Sequence, residues 1–149
     1  MIFITTSHTL AASPQQVKAA LLDHAALGRF FNAKFLLVKP QNNDEEPGGV
    51  GAIRQVSMAG VTFKEQIMAV NKHHICYQII GNKPVAKHKG DIYFFAVNSN
   101  PIRCQVSYSI RCKAPWWLPN SVLEFFIKRD VVNALKKLNN YFLGEQNEC

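Results

Sequence analysis

The chain has 149 residues, of which 48% are hydrophobic and 18% charged, and its formal net charge is +7. This apolar content excludes an intrinsically disordered chain, and no apolar run approaches the ~18 residues that a membrane span requires. The length predicts a single domain over residues 1–149.

The N-terminus and the cysteines indicate a cytoplasmic protein. The first six residues contain no basic region and no cleavage site of a secretory signal. Cys76, Cys104, Cys112 and Cys149 lack both CxxC and metal-finger spacing. We therefore expect free thiols in a reducing compartment.

The first part of the chain predicts a strand, two short helices and a second strand. Residues 2–9 alternate weakly between apolar and polar side chains, which is typical of a strand. Ser13 followed by Pro14 marks a helix start, with serine as the cap and proline just inside it. The apolar stripe of this helix continues into a second short helix. A strand over residues 33–39 and a polar, acidic loop over residues 41–49 follow.

A β-hairpin is predicted next, with strands over residues 51–58 and 61–67 and a two-residue turn. A turn this short fixes the register, and strand side chains alternate, so Arg54 lies opposite Glu65 on the inward, otherwise apolar face. A solid core rarely holds such a pair, whereas a partly polar cavity has reason to. The pair either orients a polar group of a ligand or acts as a partly hydrated ion pair that sets the register. Their face comprises Arg54, Val56, Met58, Val61, Phe63 and Glu65.

Three more strands are predicted over residues 74–80, 90–97 and 102–113. The middle strand is apolar on both faces, so its phase is open. A four-residue turn at 98–101 would pair Val97 with Ile102 and turn Asp91, Tyr93 and Phe95 inward; the other phase turns Ile92, Phe94 and Ala96 inward.

Three tyrosines on these strands are candidates for ligand contact. A phenol combines an apolar ring with one hydrogen-bonding tip, which suits an amphipathic ligand. The alternative is that they are ordinary core aromatics with satisfied hydroxyls. The residues are Tyr77, Tyr93 and Tyr108.

A long amphipathic helix is predicted from Ser121 to about Phe142. At about 1.5 Å per residue it is long enough to span the sheet. We expect Phe125, on its apolar stripe, to face the cavity. The stripe comprises Val122, Phe125, Phe126, Val132, Leu135, Leu138 and Phe142.

Trp116 and Trp117 precede this helix, and residues 51–113 carry nine basic residues against two acidic ones. One interpretation is a lid or anchor at the cavity mouth that contacts anionic membrane transiently. The alternatives are a plug of both indoles on the helix end and a solvated basic outer face. Nucleic acid is not expected as a partner, because we expect no exposed aromatic residues among the outer charges, as single-strand binding would need.

The order of elements, together with residues 13–17, Asp23, residues 47–54, Glu65 and Tyr77, resembles the START-like (SRPBCC) superfamily from about Ile4 to Phe142. Its polyketide cyclase/dehydrase and lipid-transport branch is the most similar. The resemblance implies an α+β helix-grip fold. In that fold a curved antiparallel sheet of about seven strands wraps around the long C-terminal helix, two short helices follow the first strand, and a cavity lies between sheet and helix.

The resemblance also implies binding of a hydrophobic or amphipathic small molecule, such as a lipid or polyketide. We interpret the chain as a carrier or sensor of such a ligand, without catalytic residues or cofactor. The alternative is a cyclase or dehydratase in the same cavity, which would need an acid and a base about 5–8 Å apart. No metal site is expected, because the adjacent His73 and His74 point to opposite faces of a strand. The expected ligand contacts are Arg54, Val56, Phe63, Glu65, Tyr77, Tyr93, Tyr108 and Phe125, with Trp116 and Trp117 at the cavity mouth.

Overall fold

The computed structural model of the protein describes residues 1–99 and 102–147. Seven strands form one curved antiparallel sheet in the order β1-β7-β6-β5-β4-β3-β2, which confirms the predicted α+β helix-grip fold. The strands are β1 (Ile2–Leu10), β2 (Lys34–Lys39), β3 (Ile53–Met58), β4 (Val61–Asn71), β5 (His74–Ile79), β6 (Ala86–Ser99) and β7 (Ile102–Lys113). The helices are α1 (Pro14–Leu22), a 3₁₀ helix (His24–Arg29) and α2 (Asn120–Asn147).

The start of α1 has the predicted cap. The Ser13 hydroxyl accepts a hydrogen bond from the Gln16 amide at 3.2 Å, and the Gln16 side chain accepts one from the Ser13 amide at 2.8 Å. Pro14 occupies the first helical turn, where its missing N–H costs nothing. Val17, Leu21 and Leu22 are buried and hold the helix on the core.

The β3–β4 hairpin has the predicted register. Arg54 is paired with Glu65, Val56 with Phe63 and Met58 with Val61. Both turn residues, Ala59 and Gly60, have positive φ angles of 50° and 77°, which matches the twist of a two-residue hairpin.

The inward phase predicted for Tyr93 is wrong. Ile92 and Phe94 are 4% and 0% exposed, whereas Tyr93 and Phe95 are 38% and 48% exposed on the outer face. The strand extends to Ser99, which pairs with Ile102, and its register shifts between Ala96 and Asn98. Val97 therefore does not pair with Ile102. Asn100 and Pro101 of the predicted turn lie outside the described residues.

The helical phase predicted for Phe125 is also wrong, since its side chain is 63% exposed. The buried residues of α2 are Val131, Ala134, Leu135, Leu138 and Phe142. At 3.6 residues per turn, this stripe projects back onto Ile127 and Leu123. Phe125 lies two residues from Ile127 and therefore points to the opposite side of the helix.

Two clusters form the core, a large one that extends along most of the sheet and a small one at one end. At the closed end, where β1 stops and β7 starts, Leu10 and Cys104 pack with Phe94, Leu138 and Phe142. A hydrogen bond of 3.0 Å from the Ala11 amide to Asn139 Oδ1 fixes the second half of α2 there.

At the open end, where β1 starts and β7 stops, a smaller cluster contains Ile2, Ile4, Val85 and Cys112. Because all neighbouring strands are antiparallel, the β3–β4 turn and the β5–β6 connection lie at this same end. The three described cysteines, Cys76, Cys104 and Cys112, are buried free thiols, and Cys149 lies outside the described residues.

Candidate functional site

A hollow of about 590 Å³ lies between the sheet and the first half of α2, and it is partly open to solvent. Its walls are mainly apolar side chains of the sheet, the residues after the 3₁₀ helix and one side of α2. These side chains include Phe31, Phe35, Val56, Phe63, Ile79, Val85, Ile110, Leu123, Phe126, Ile127 and Val131. The volume lies within the range of small-molecule sites in proteins.

Most residues expected at the site line this cavity. The structure brings together Arg54, Val56, Phe63, Glu65, Tyr77 and Tyr108 on its wall. Tyr93 and Phe125 lie outside it for the reasons given above.

Trp116 and Trp117 are 96% and 65% exposed and do not line the cavity. The interpretation of both indoles as a plug packed on the helix end is therefore wrong.

Arg54 and Glu65 form a buried ion pair on the cavity wall. Glu65 Oε1 accepts a hydrogen bond of 2.8 Å from Arg54 Nε, and Nη2 of the same guanidinium lies 2.8 Å from this oxygen. The guanidinium also lies over two aromatic rings, 4.8 Å from the centroid of Tyr77 and 5.6 Å from that of Phe35. Cation–π attraction to these rings helps to hold the Arg54 side chain in place. Burial alone would lower the pKa of Arg54, but the Glu65 carboxylate raises it, so the arginine stays charged.

His24 is a third member of this polar group. Its Nδ1 lies 3.1 Å from Arg54 Nη1, and its Nε2 lies 2.8 Å from the Gly48 carbonyl oxygen. A carbonyl can only accept, so Nε2 carries the proton and Nδ1 accepts from Arg54. Burial, and then the charge of Arg54, lower the pKa of His24, in agreement with a neutral ring.

The loop before β3 holds His24 in this tautomer. Gly48 has a φ of 75°, and a Cβ atom at this position would overlap the Leu22 carbonyl. Only glycine fits there, and its carbonyl can then approach the imidazole. The Pro47-Gly48-Gly49 segment, which is among the residues that carry the family resemblance, therefore contributes to the site by positioning His24.

The hydroxyls of Tyr77 and Tyr108 form a hydrogen bond with each other on the same wall. Burial raises the pKa of both phenols, so both remain protonated near neutral pH. The Tyr77 ring crosses Gly90 of the neighbouring strand so closely that a Cβ there would overlap the ring. Gly90 therefore positions Tyr77.

The polar group keeps unused hydrogen-bonding capacity toward the cavity. Arginine carries five N–H groups, and the hydrogen bonds to Glu65 and His24 use two of those of Arg54, while its Nη2 lies against Glu65 Oε1. Every fully buried side-chain nitrogen or oxygen of the described residues has a hydrogen-bond partner. Glu65 Oε2 has none among those residues, so this oxygen must be accessible from the cavity.

His88 also lines the cavity, with its ring centroid 5.4 Å from that of Tyr77. Its Nδ1 accepts the Ile79 amide at 3.3 Å, and burial lowers the pKa of the ring. The imidazole is therefore neutral, with its proton on Nε2.

Sequence reasoning missed His24 and His88. His24 contacts Arg54 across 30 positions of sequence that include β2 and an irregular loop, so no local pattern indicates the contact. His88 precedes the predicted start of its strand, because the observed strand begins at Ala86 and is irregular up to Lys89. The only indication in the sequence is that His24 directly follows Asp23, which is among the residues that carry the family resemblance.

Residues 1–99 and 102–147 contain neither a metal-binding cluster nor a membrane-spanning helix. Within them, no three His, Cys, Asp or Glu side chains converge as metal ligands would. None of the helices in that part of the chain is both long and apolar enough to cross a membrane.

Comparison with known proteins adds a family and a set of similar folds. The model of the family described as polyketide cyclase/dehydrase and lipid transport matches residues 1–142. A START superfamily protein from Mycobacterium smegmatis superposes with a TM-score of 0.79 at 11% identity, covering 95% of this chain and 97% of that one. XoxI from Bacillus cereus gives a TM-score of 0.72 at 18% identity, covering 98% and 99%. At these identities the structures show the fold alone, and no curated protein matches the sequence.

Proposed function

The chain belongs to the polyketide cyclase/dehydrase and lipid-transport family, and from this premise we propose that it is a cytoplasmic carrier or sensor of a hydrophobic molecule with one neutral polar group. The observation that carries the proposal is the buried Arg54–Glu65 pair on the wall of an otherwise apolar cavity of about 590 Å³. The apolar walls supply affinity for the body of the ligand, and the pair supplies orientation.

The charges of the pair favour a hydroxyl or carbonyl over a carboxylate. Arg54 and Glu65 cancel each other, so the site offers no net positive charge to an anion. A hydroxyl can donate to Glu65 Oε2 and accept from an unused N–H of Arg54. A carboxylate would meet the Glu65 charge in a poorly solvated space, where like charges repel strongly.

The same geometry supports a carrier rather than a cyclase or dehydratase. Glu65 is neutralised by Arg54, and the raised pKa values of Tyr77 and Tyr108 keep both phenols protonated. The basic nitrogen of His88 is occupied by the Ile79 amide. To act as a general base, His88 would have to break its hydrogen bond to the Ile79 amide, and Glu65 would have to act from within its ion pair with Arg54.

The proposal is tested by binding of matched probes, a long-chain alcohol and the fatty acid of the same length. We expect the alcohol to bind more tightly to the native protein. Glu65→Gln removes the repelling charge and leaves Arg54 unpaired, so we expect it to reverse the preference in favour of the fatty acid. Val56→Ala is the control that alters the wall without altering charge, and it should leave the order unchanged.

Two results would contradict the proposal. One is binding of neither probe, together with native mass spectrometry that finds no co-purifying small molecule. The other is an equal preference in the native protein and in Glu65→Gln, which would show that the pair does not contact the ligand.

A further inference from the structure

The open end of the molecule carries large apolar side chains that the cavity does not use. Trp116 and Trp117 are 96% and 65% exposed, and Phe125, Phe126 and Val122 of α2 are 63%, 44% and 41% exposed. Only Phe126 among them lines the cavity. Exposed apolar residues that lie close together commonly mark a site of interaction.

These side chains lie at the same end as the cavity mouth. Trp116 follows shortly after Lys113, which pairs with Ala86 at the start of β6. Val85, one residue earlier, lines the cavity and belongs to a cluster against which Ala114 and Leu123 pack. The β5–β6 connection, the two tryptophans and the first turns of α2 therefore lie at the same, open end of the sheet.

Exposed lysines lie on the same elements. Lys83 of the β5–β6 connection, Lys87 and Lys113 form no ion pair with any residue that the structure describes. The acidic residues nearby in sequence are Glu124, which is exposed, and Asp130, whose carboxylate lies 3.6 Å from Arg129. The surface is therefore basic as well as apolar.

We propose that this rim, defined as Trp116, Trp117, Val122, Phe125, Lys83 and Lys113, docks on the surface of an anionic lipid membrane and points the cavity mouth at the lipid. The inference rests on the proposed function, since it supplies the place where a hydrophobic ligand enters and leaves. Tryptophan prefers the membrane interface, and lysines near an anionic surface are attracted to it. A second copy of the chain is a poorer occupant, because two such basic surfaces would repel each other.

The protein carries its own reporter for this contact. Trp116 and Trp117 are the two tryptophans of the whole sequence, so all indole fluorescence comes from the proposed docking surface. Titration with vesicles of phosphatidylcholine mixed with phosphatidylglycerol should shift the emission to the blue, and brominated lipid should quench it. Vesicles of phosphatidylcholine alone, or added salt, should weaken both effects.

Variants separate the apolar and charged parts of the surface. Lys83→Gln/Lys113→Gln should lower partitioning onto the anionic vesicles roughly 25-fold, about fivefold for each lysine. Lys136→Gln/Lys137→Gln, on exposed positions of the closed-end half of α2, is the matched control and should change it little. Trp116→Ala/Trp117→Ala should weaken co-sedimentation with vesicles, whereas Tyr93→Ala/Phe95→Ala on the outer sheet face should not.

Several results would overturn the proposal. They are an emission spectrum unchanged by anionic vesicles at low salt, equal binding to both kinds of vesicle, and equal losses in the two lysine variants. A blue shift that depends on protein concentration without vesicles would assign the surface to a second copy. The probe assays use no membrane, so loss of alcohol binding with intact vesicle binding would contradict the proposed function alone.

Discussion

The two halves of α2 have similar apolar content, but the large apolar side chains of the second half are buried and those of the first half are largely exposed. In the second half, Leu135, Leu138 and Phe142 are at most 3% exposed, because they pack against the closed end of the sheet. In the first half, Phe126 lines the cavity and is 44% exposed, because that half covers a cavity rather than a core, while Phe125 points away from the cavity and is 63% exposed. Apolar spacing along a helix therefore indicates which face is apolar, and the opposite side of the fold decides whether that face is buried.

The largest effect on stability should come from the polar group of Arg54, Glu65 and His24 on the cavity wall. Arg54→Met leaves the Glu65 carboxylate without its partner and removes the donor to His24, so it should lower the free energy of unfolding by about 3–5 kcal/mol. Urea denaturation measures this loss. Arg54→Met/Glu65→Leu should recover most of it, and a double variant no more stable than the single one would mean that the pair is not the cause.

The comparison within α2 is sharpened by two truncations. Leu138→Ala removes a side chain that is 1% exposed and should cost about 2–5 kcal/mol. Phe126→Ala removes a larger side chain that is 44% exposed, yet it should cost less than about 1 kcal/mol. Equal losses in denaturant midpoints would show that the first half of α2 is packed as tightly as the second.

A smaller effect is expected at Gly90. In Gly90→Ala the new methyl group must displace the Tyr77 ring, which should cost about 1–3 kcal/mol and break its bond to Tyr108. Binding of the alcohol probe should weaken as well. Gly144→Ala is the control, because a Cβ at Gly144 meets no atom and this helical position should tolerate alanine. A Gly90→Ala protein with native stability and affinity would contradict the positioning role.

The smallest effect is a dependence of stability on pH. Burial and Arg54 lower the pKa of folded His24, while the unfolded imidazole keeps its usual pKa of about 6.5. Below that pH the unfolded chain binds more protons, so stability should fall as the pH falls, by at most about 1.4 kcal/mol per pH unit for this group. His88, whose pKa burial also lowers, adds in the same direction. His24→Gln should reduce the slope between about pH 7 and 5.5, and an unchanged slope would exclude His24 as a source.

Sequence reasoning succeeded where one local rule decides the geometry. The two-residue turn at Ala59 and Gly60 leaves a single register, so the contact of Arg54 with Glu65 follows from the turn alone. The clear alternation of β7 likewise places Val106 and Tyr108 inward, and both are buried.

It failed where two solutions satisfy the same rule. Both faces of β6 are apolar, and the phase depends on a register shift near Asn98 that no pattern in the sequence marks. The exposure of Tyr93 and Phe95 also corrects the expectation that the outer face holds no exposed aromatic residues. Ligand contact by the cavity residues stays a prediction.

Two of the three buried thiols allow the two ends of the sheet to be compared without any substitution. Cys104 lies at the closed end of β7 and Cys112 at its open end, and burial raises the pKa of both, to about 11 for Cys104. A thiol reacts as its thiolate, so neither sulfur should be alkylated until its end of the strand opens. The alkylation rate of each cysteine, measured by mass spectrometry, thus reports how often one end of the sheet opens locally. A ligand that binds in the cavity should lower the alkylation rate of Cys112 more than that of Cys104.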